Sequence, residues 1–197
     1  TAAIWRNRIT ALTAIQANQD INLKSLQDAD IIAVAISGGI SCVQVFFVRN
    51  GSNYGNTAFF PRINSSEDVR TILSAFIGQF YSDKIPANLI LVSELPKELK
   101  LLQSALSQQT RNKITISRPE RGDRRKIMEM AIRNAEEAIA RKLADTASQR
   151  RLLDALTQSL ELDEVPERIE IYDNSHIQGT HAVGAMVVAT ADGFAKS

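Results

Sequence analysis

A single cysteine, Cys42, stands among 197 residues. It excludes an internal disulfide and any zinc site built on thiolates, and inside an apolar, strand-like run it reads as a small core residue. Long apolar runs are missing too: no stretch of about 18 apolar residues occurs, and the first residues lack the basic-then-apolar pattern of a secretion signal. Nothing directs the chain into a membrane or out of the cell, so a cytoplasmic location is expected. An excess of charge of one sign is also lacking. Lys and Arg total 23 against 22 Asp and Glu, a formal net charge of +1, so any contact with nucleic acid must come from a local patch. No phosphate-binding glycine loop is present, because Ser37-Gly38-Gly39 lacks the lysine and the spacing of a nucleotide-binding motif. No Ser-His-Asp or Cys-His arrangement can be defended.

What is there is an ordinary globular composition, 44% hydrophobic and 23% charged, enough to bury a core in one or two domains. Ile4, Ile9, Leu12 and Ile15 fall roughly on one stripe of a short helix over residues 2 to 16, which begins without a clear cap. Asp30 to Ile36 is a continuous apolar run of strand length, stopped by Ser37-Gly38-Gly39. Two strands then flank Asn50-Gly51, a dipeptide that tolerates positive φ and fits a tight hairpin. A helix capped by Ser65 or Ser66 is expected to carry Val69, Ile72, Leu73, Phe76, Ile77 and Phe80 on one face. A buried strand follows at Asn88 to Val92, then a helix over 96 to 109 with Pro96 at its first position, a strand at 114 to 117, and a helical stretch from Gly122 to about Leu162 with a break expected near Asp145-Thr146. The order β-β-β-α-β-α-β-α is the one used by ribonuclease H-like domains, although hairpins and βαβ units combine in many α/β folds. After Pro166 two further strands and an Asp192-Gly193 turn are too little for a domain by themselves, so they are expected either to open a domain that continues beyond Ser197 or to complete an earlier sheet.

The two hairpin regions echo one another. Setting DIIAVAISGG beside RIEIYDNSHIQG aligns Ile31 with Ile169, Ala35 with Asp173 and Ser37 with Ser175, and four extra residues in the turn bring Val45, Phe46 and Gly51 opposite Val187, Val188 and Gly193. Any two hairpins look somewhat alike, and that is one reading. The other is that residues 30 to about 145 form a degenerate, catalytically dead ribonuclease H-like module whose first acidic position has become Ala35.

Asp173 is the most suggestive side chain. A carboxylate in the apolar strand IEIYD is costly to bury unless it is paired or holds a metal, and two-metal nucleases need carboxylates projecting from a sheet. A strand-end Asp capping the turn at Asn174-Ser175 is the competing reading. His176 and His181, the only histidines, flank that turn at a spacing that is no recognised metal motif. His176 is either bonded to backbone or involved in handling DNA, and His181 is read as a surface residue. Arg118, Arg121, Arg124, Arg125 and Lys126 cluster against Glu120 and Asp123. They form either a solvated helix start capped by Asp123 or a phosphate-contacting patch.

At IEIYDNSHIQGTHAVGAMVV the sequence resembles the opening of the endonuclease domain of the UvrC family of excinucleases, whose members carry Asp-x-Ser-His-x-Gln-Gly on their first strand. Here the motif is Asp173, Asn174, Ser175, His176, Ile177, Gln178 and Gly179. ISCVQVFFVRNGSNYGNTAFFP, RPERGDRRKIMEMAIRNAEEAI and AAIWRNRITALTAI resemble further blocks of the family in the same order. The resemblance implies an α/β chain in three parts. Residues 1–20 would end a helical hairpin that docks onto UvrB, the partner component of the excinuclease. Residues 21–145 would be a central domain, ribonuclease H-like with a mixed sheet and a long helix. Residues 146–197 would open a second ribonuclease H-like domain, the endonuclease. It further implies a parent enzyme that joins UvrB on damaged double-stranded DNA and cuts on both sides of the lesion. The 5′ cut would depend on Mg²⁺ or Mn²⁺ held by two Asp and a His, of which only Asp173 falls within these residues. Ser175, His176, Gln178 and Gly179 would support the motif. By itself the segment is expected to be inactive as a nuclease and to bind UvrB weakly.

Overall fold

The computed structural model describes residues 26–62, 67–177, 180–190 and 193–194, without the side chains of 175–177 and 180–182. The helix expected over residues 2 to 16, the caps Ser65 and Ser66, Gln178, Gly179 and Asp192 lie outside the described residues, as do the side chains of Ser175, His176 and His181. The chain divides after Ile139 into two compact units.

The first unit is built on a five-stranded sheet of order β3-β2-β1-β4-β5. Strands β1 (Ala29–Ser37), β2 (Ile40–Arg49) and β3 (Ser52–Phe59) form an antiparallel meander. β4 (Leu89–Val92) joins β1 in parallel, and β5 (Thr115–Ser117) joins β4 in parallel. Helices α1 (Val69–Phe80) and α2 (Leu99–Thr110) make the connections into β4 and β5, and α3 (Gly122–Ser159) follows.

From Ile31 to Ala35 β1 is apolar because it is covered on both faces, the condition that turns an alternating pattern into a continuous run. Ile32 and Val34 point into a core with Val43, Val45, Ile72, Leu73, Ile77 and Ile90. Ile31 and Ala33 point the other way, against Phe46, Val48, Ile127, Met128 and Ala131 of β2 and α3. Ala35 closes this second face with Cys42, Ala135, Ala138 and Ile139, so Cys42 is the buried core residue its surroundings predict.

Both hairpin turns of the meander rest on positive φ. Asn50 and Gly51 lie at φ 50° and 69°, the two left-handed positions of a type I′ turn, and Gly51 N–H donates to the carbonyl of Gln27 at 2.9 Å. Gly38 and Gly39, at 57° and 76°, make a second such turn at the small residues that end the first strand in the sequence.

The helices depart from expectation at their ends. The cap of α1 is Asp68, whose Oδ1 accepts from the backbone N–H of Thr71 at 2.9 Å. Side-chain capping is a local competition, and an Asp immediately before the first turn wins it. α2 starts at Leu99, not at Pro96, because Lys97 N–H donates to the carbonyl of Arg70 and Glu98 N–H to Ser74 Oγ, which ties that stretch to α1. α3 runs 38 residues without a break at Asp145-Thr146. The propensity penalty of Asp and Thr, about 0.5 kcal/mol each, is too small to interrupt a run of Ala, Leu, Lys and Arg. Asp123 sits inside its first turn, beside Lys126 at 3.7 Å, and so is not the cap that the sequence predicts.

The second unit carries a three-stranded antiparallel sheet of β6 (Arg168–Ile177), β7 (Thr180–Thr190) and β8 (Gly193–Phe194). The echo between the hairpins is imperfect in register. Ile31 lies across from Phe46, whereas Ile169 lies across from Ala189 and not from Val188, a slip of one residue that the bulge between Ser175 and Ile177 absorbs.

Candidate functional site

β6 positions the motif. Its pairing with β7 sets Ile171 across from Val187, Tyr172 from Met186, Asp173 from Ala185 and Asn174 from Gly184. Strand alternation puts Ile169, Ile171 and Asp173 on one face and Glu170, Tyr172 and Asn174 on the other. Gly184 has a local reason: a Cβ there would stand 3.0 Å from Oδ1 of Asn174, so the glycine leaves room for the amide beside the candidate carboxylate.

Asp173 is exposed, and this corrects the expectation of a carboxylate held in an apolar interior. Its neighbours on the strand, Ile171 and Tyr172, are 55% and 64% exposed. The desolvation argument therefore fails at Asp173, while the availability of its oxygens for a ligand stands. On the opposite face Tyr172 donates its O–H to Glu170, and Arg168 Nε approaches Glu170 Oε1 at 2.6 Å. The Tyr172 hydroxyl and then Arg168 hold the Glu170 carboxyl below its ordinary range, and that same bond raises the Tyr172 phenol. Among the described residues no three His, Cys, Asp or Glu side chains converge. Asp173 fits one ligand position of a divalent cation, and the described residues supply no second.

The basic cluster divides by its partners. Arg118, just after β5, reaches Glu94 at 3.2 Å, and Arg125 in the first turns of α3 reaches Glu129 at 2.8 Å. Arg121 and Arg124 are exposed and have no ion-pair partner among the described residues.

Among the described residues the buried carboxylate is Asp30, which the sequence shows as the first residue of an apolar run. It is 1% exposed at the start of β1. Its oxygens accept from Arg49 Nη1 at 2.8 Å, Tyr81 O–H at 2.8 Å and Ala87 N–H at 3.0 Å. A carboxylate in an apolar strand must be partnered, and Asp30 in DIIAVAI is the residue to which that rule applies.

A mixed sheet flanked by helices, followed by a second hairpin with a strand-borne aspartate, is the order of elements that a ribonuclease H-like chain uses. Residues 28–142 match the family described as UvrC Ribonuclease H-like domain, and residues 157–197 match the UvrC RNAse H endonuclease domain. The chain belongs to the UvrC family. It is similar to proteins called UvrABC system protein C along its whole length. The identity is 49% over 197 residues with that of Rhodopseudomonas palustris strain BisB5, covering 100% of this chain and 28% of the relative. It is 48% over 196 residues with that of Paramagnetospirillum magneticum, covering 31% of the relative, and 49% over 196 residues with that of Hyphomonas neptunium, covering 32%. The chain thus spans less than a third of these relatives' length.

Proposed function

We propose that this chain is the middle section of a bacterial excinuclease protein that incises damaged double-stranded DNA on both sides of a lesion, and that it leads into the domain making the 5′ cut. One observation carries the reading: relatives named for the UvrABC system align with the entire chain, and the stretch bearing Asp173 matches a domain described as an endonuclease. The parts are residues 1–20 as the end of a module docking on UvrB, 21–145 as a central domain without catalysis of its own, and 146–197 as the opening of the endonuclease. The protein works in the cytoplasm; among the described residues no helix is long and apolar enough to cross a membrane.

Asp173 supplies one carboxylate ligand to a divalent ion, Mg²⁺ or Mn²⁺, with Ser175, His176, Gln178 and Gly179 as supporting residues of the motif. Bound there, such an ion supplies the Lewis acidity that phosphodiester hydrolysis needs at neutral pH. β6 offers the Asp173 oxygens to solvent from a paired strand, and Gly184 keeps Asn174 from being pushed against its neighbours. In the full-length protein Asp173→Ala should abolish 5′ incision of a lesion-bearing duplex and spare the 3′ cut. Survival of both cuts would leave a scaffold or interaction domain as the better reading.

A further inference from the structure

Beyond the carboxyl ends of β4 and β5 a cavity of about 400 Å³ opens between Ser93, Arg118, Glu120, Arg125, Met128 and Glu129. Open α/β sheets take ligands in the crevice outside the carboxyl ends of their strands, where the connections change faces. The change falls here: α2 places Leu106 in the core with Ile32 and Ile90, and α3 places Ile127 and Met128 on the opposite face with Ile31 and Leu91.

The side chains around this cleft suit an anion better than a metal. β1 brings Ala35, buried against Ala135, Ala138 and Ile139, where a first-strand carboxylate would have to stand. Glu94, next after Ser93 beyond β4, is engaged by Arg118 at 3.2 Å. Arg125 is oriented by two contacts, Nε to Glu129 at 2.8 Å and Nη1 to the carbonyl of Glu120 at 3.4 Å. A guanidinium has five N–H donors, so these bonds aim both arginines while leaving donors for a ligand. Arg121 and Arg124, adjacent in sequence to the lining residues Glu120 and Arg125, add two exposed cations without ion-pair partners among the described residues. Glu120 and Glu129 limit the charge the cleft accepts, which matches the single negative charge of a phosphodiester and disfavours a nucleoside di- or triphosphate.

We propose that the cleft beyond β4 and β5, through Arg118 and Arg125, grips a backbone phosphodiester of DNA without cutting it. This rests on the reading of the chain as part of a DNA-incising protein. The central domain would then hold the duplex while a different part of the protein cuts.

The test is a salt titration of the full-length protein binding a duplex with one bulky lesion. Arg118→Gln combined with Arg125→Gln should weaken binding and lower the slope of log affinity against log salt by about 1, the roughly 0.9 expected for one phosphate no longer neutralised. Arg111→Asn with Lys113→Gln removes equal charge at the amino end of β5 and should leave the slope unchanged, as should Asp173→Ala. All four basic residues are exposed, and circular dichroism of each variant should match that of the unaltered protein. If the unaltered protein binds and incises DNA but the first pair does not move the slope, this inference fails and the proposed function survives. Equal drops for both pairs would reduce the effect to net charge and also overturn it. An unaltered protein that does not bind DNA would overturn both.

Discussion

Tyr81 donates its phenolic O–H to Oδ2 of Asp30 across 51 positions of sequence, at 2.8 Å and out of reach of solvent. The bond ties the end of α1 to the start of β1, and Arg49 and the Ala87 N–H complete the shell. Burial first, and the Asp30 charge second, push the Tyr81 phenol far above its ordinary range, so it remains a donor at every pH the protein meets.

Removing either partner should therefore be costly. Tyr81→Phe deletes one bond to a charged group and should lower unfolding stability by about 1.5 to 3 kcal/mol. Asp30→Asn breaks a buried pair and should cost about 2 to 4 kcal/mol, toward the low end because Arg49 is 31% exposed and recovers water. Urea denaturation checks both, and the double variant should lose less than the sum, since the residues share one network.

Asp68 gives a pH signature. Its carboxyl is lowered from 3.8 to about 2, first by the Thr71 hydroxyl, then by the Thr71 N–H, with Lys97 adding to it. A carboxyl depressed by folding contributes stability above its unfolded pKa and loses that contribution as pH falls through the folded one. The cap of α1 should stay intact above about pH 4 and weaken between there and about pH 2. Carboxyl chemical shifts of Asp68 and the amide shift of Thr71, followed by NMR, should titrate together near the lower value; a midpoint at 3.8 would remove the cap.

Ala35→Asp should not create a metal site in the first unit. Ala35 is 8% exposed and meets Ala135, Ala138 and Ile139. A charge there lacks a partner and should cost several kcal/mol, read as a lowered melting temperature that added Mn²⁺ does not restore.

Asp173→Ala should behave in the opposite way. The side chain is exposed with no hydrogen bond or ion pair among the described residues, so thermal stability should change by no more than about 0.5 kcal/mol while 5′ incision is lost. A large loss of stability would mean that Asp173 supports the strand and that any incision defect is indirect.

Much of this architecture is legible in the residues, and the reasons are local. Asn50-Gly51 marks its hairpin because few other dipeptides sit comfortably at φ 50° and 69°. The apolar run from Asp30 to Ile36 announces a strand covered on both sides, and the stripe of α1 shows its buried face. The element ends are harder to read. The start of α2 depends on Lys97 and Glu98 bonding to α1, a contact that sequence spacing does not reveal. The site is legible as a motif but not as an environment: the carboxylate enclosed by the fold is Asp30, whose partners Arg49, Tyr81 and Ala87 are distant in sequence, while Asp173 stands in solvent.

The division after Ile139 falls inside α3, not in a loop. Proteases favour exposed loop tips, and a helix of 38 residues, about 57 Å long, presents none where the two units meet along the sequence. A truncation at that point would sever a continuous hydrogen-bond ladder and leave about four carbonyls unsatisfied on one side and four amides on the other. Anyone dissecting the protein should keep the helix whole with one half or the other, since digestion cannot be counted on to find a clean seam.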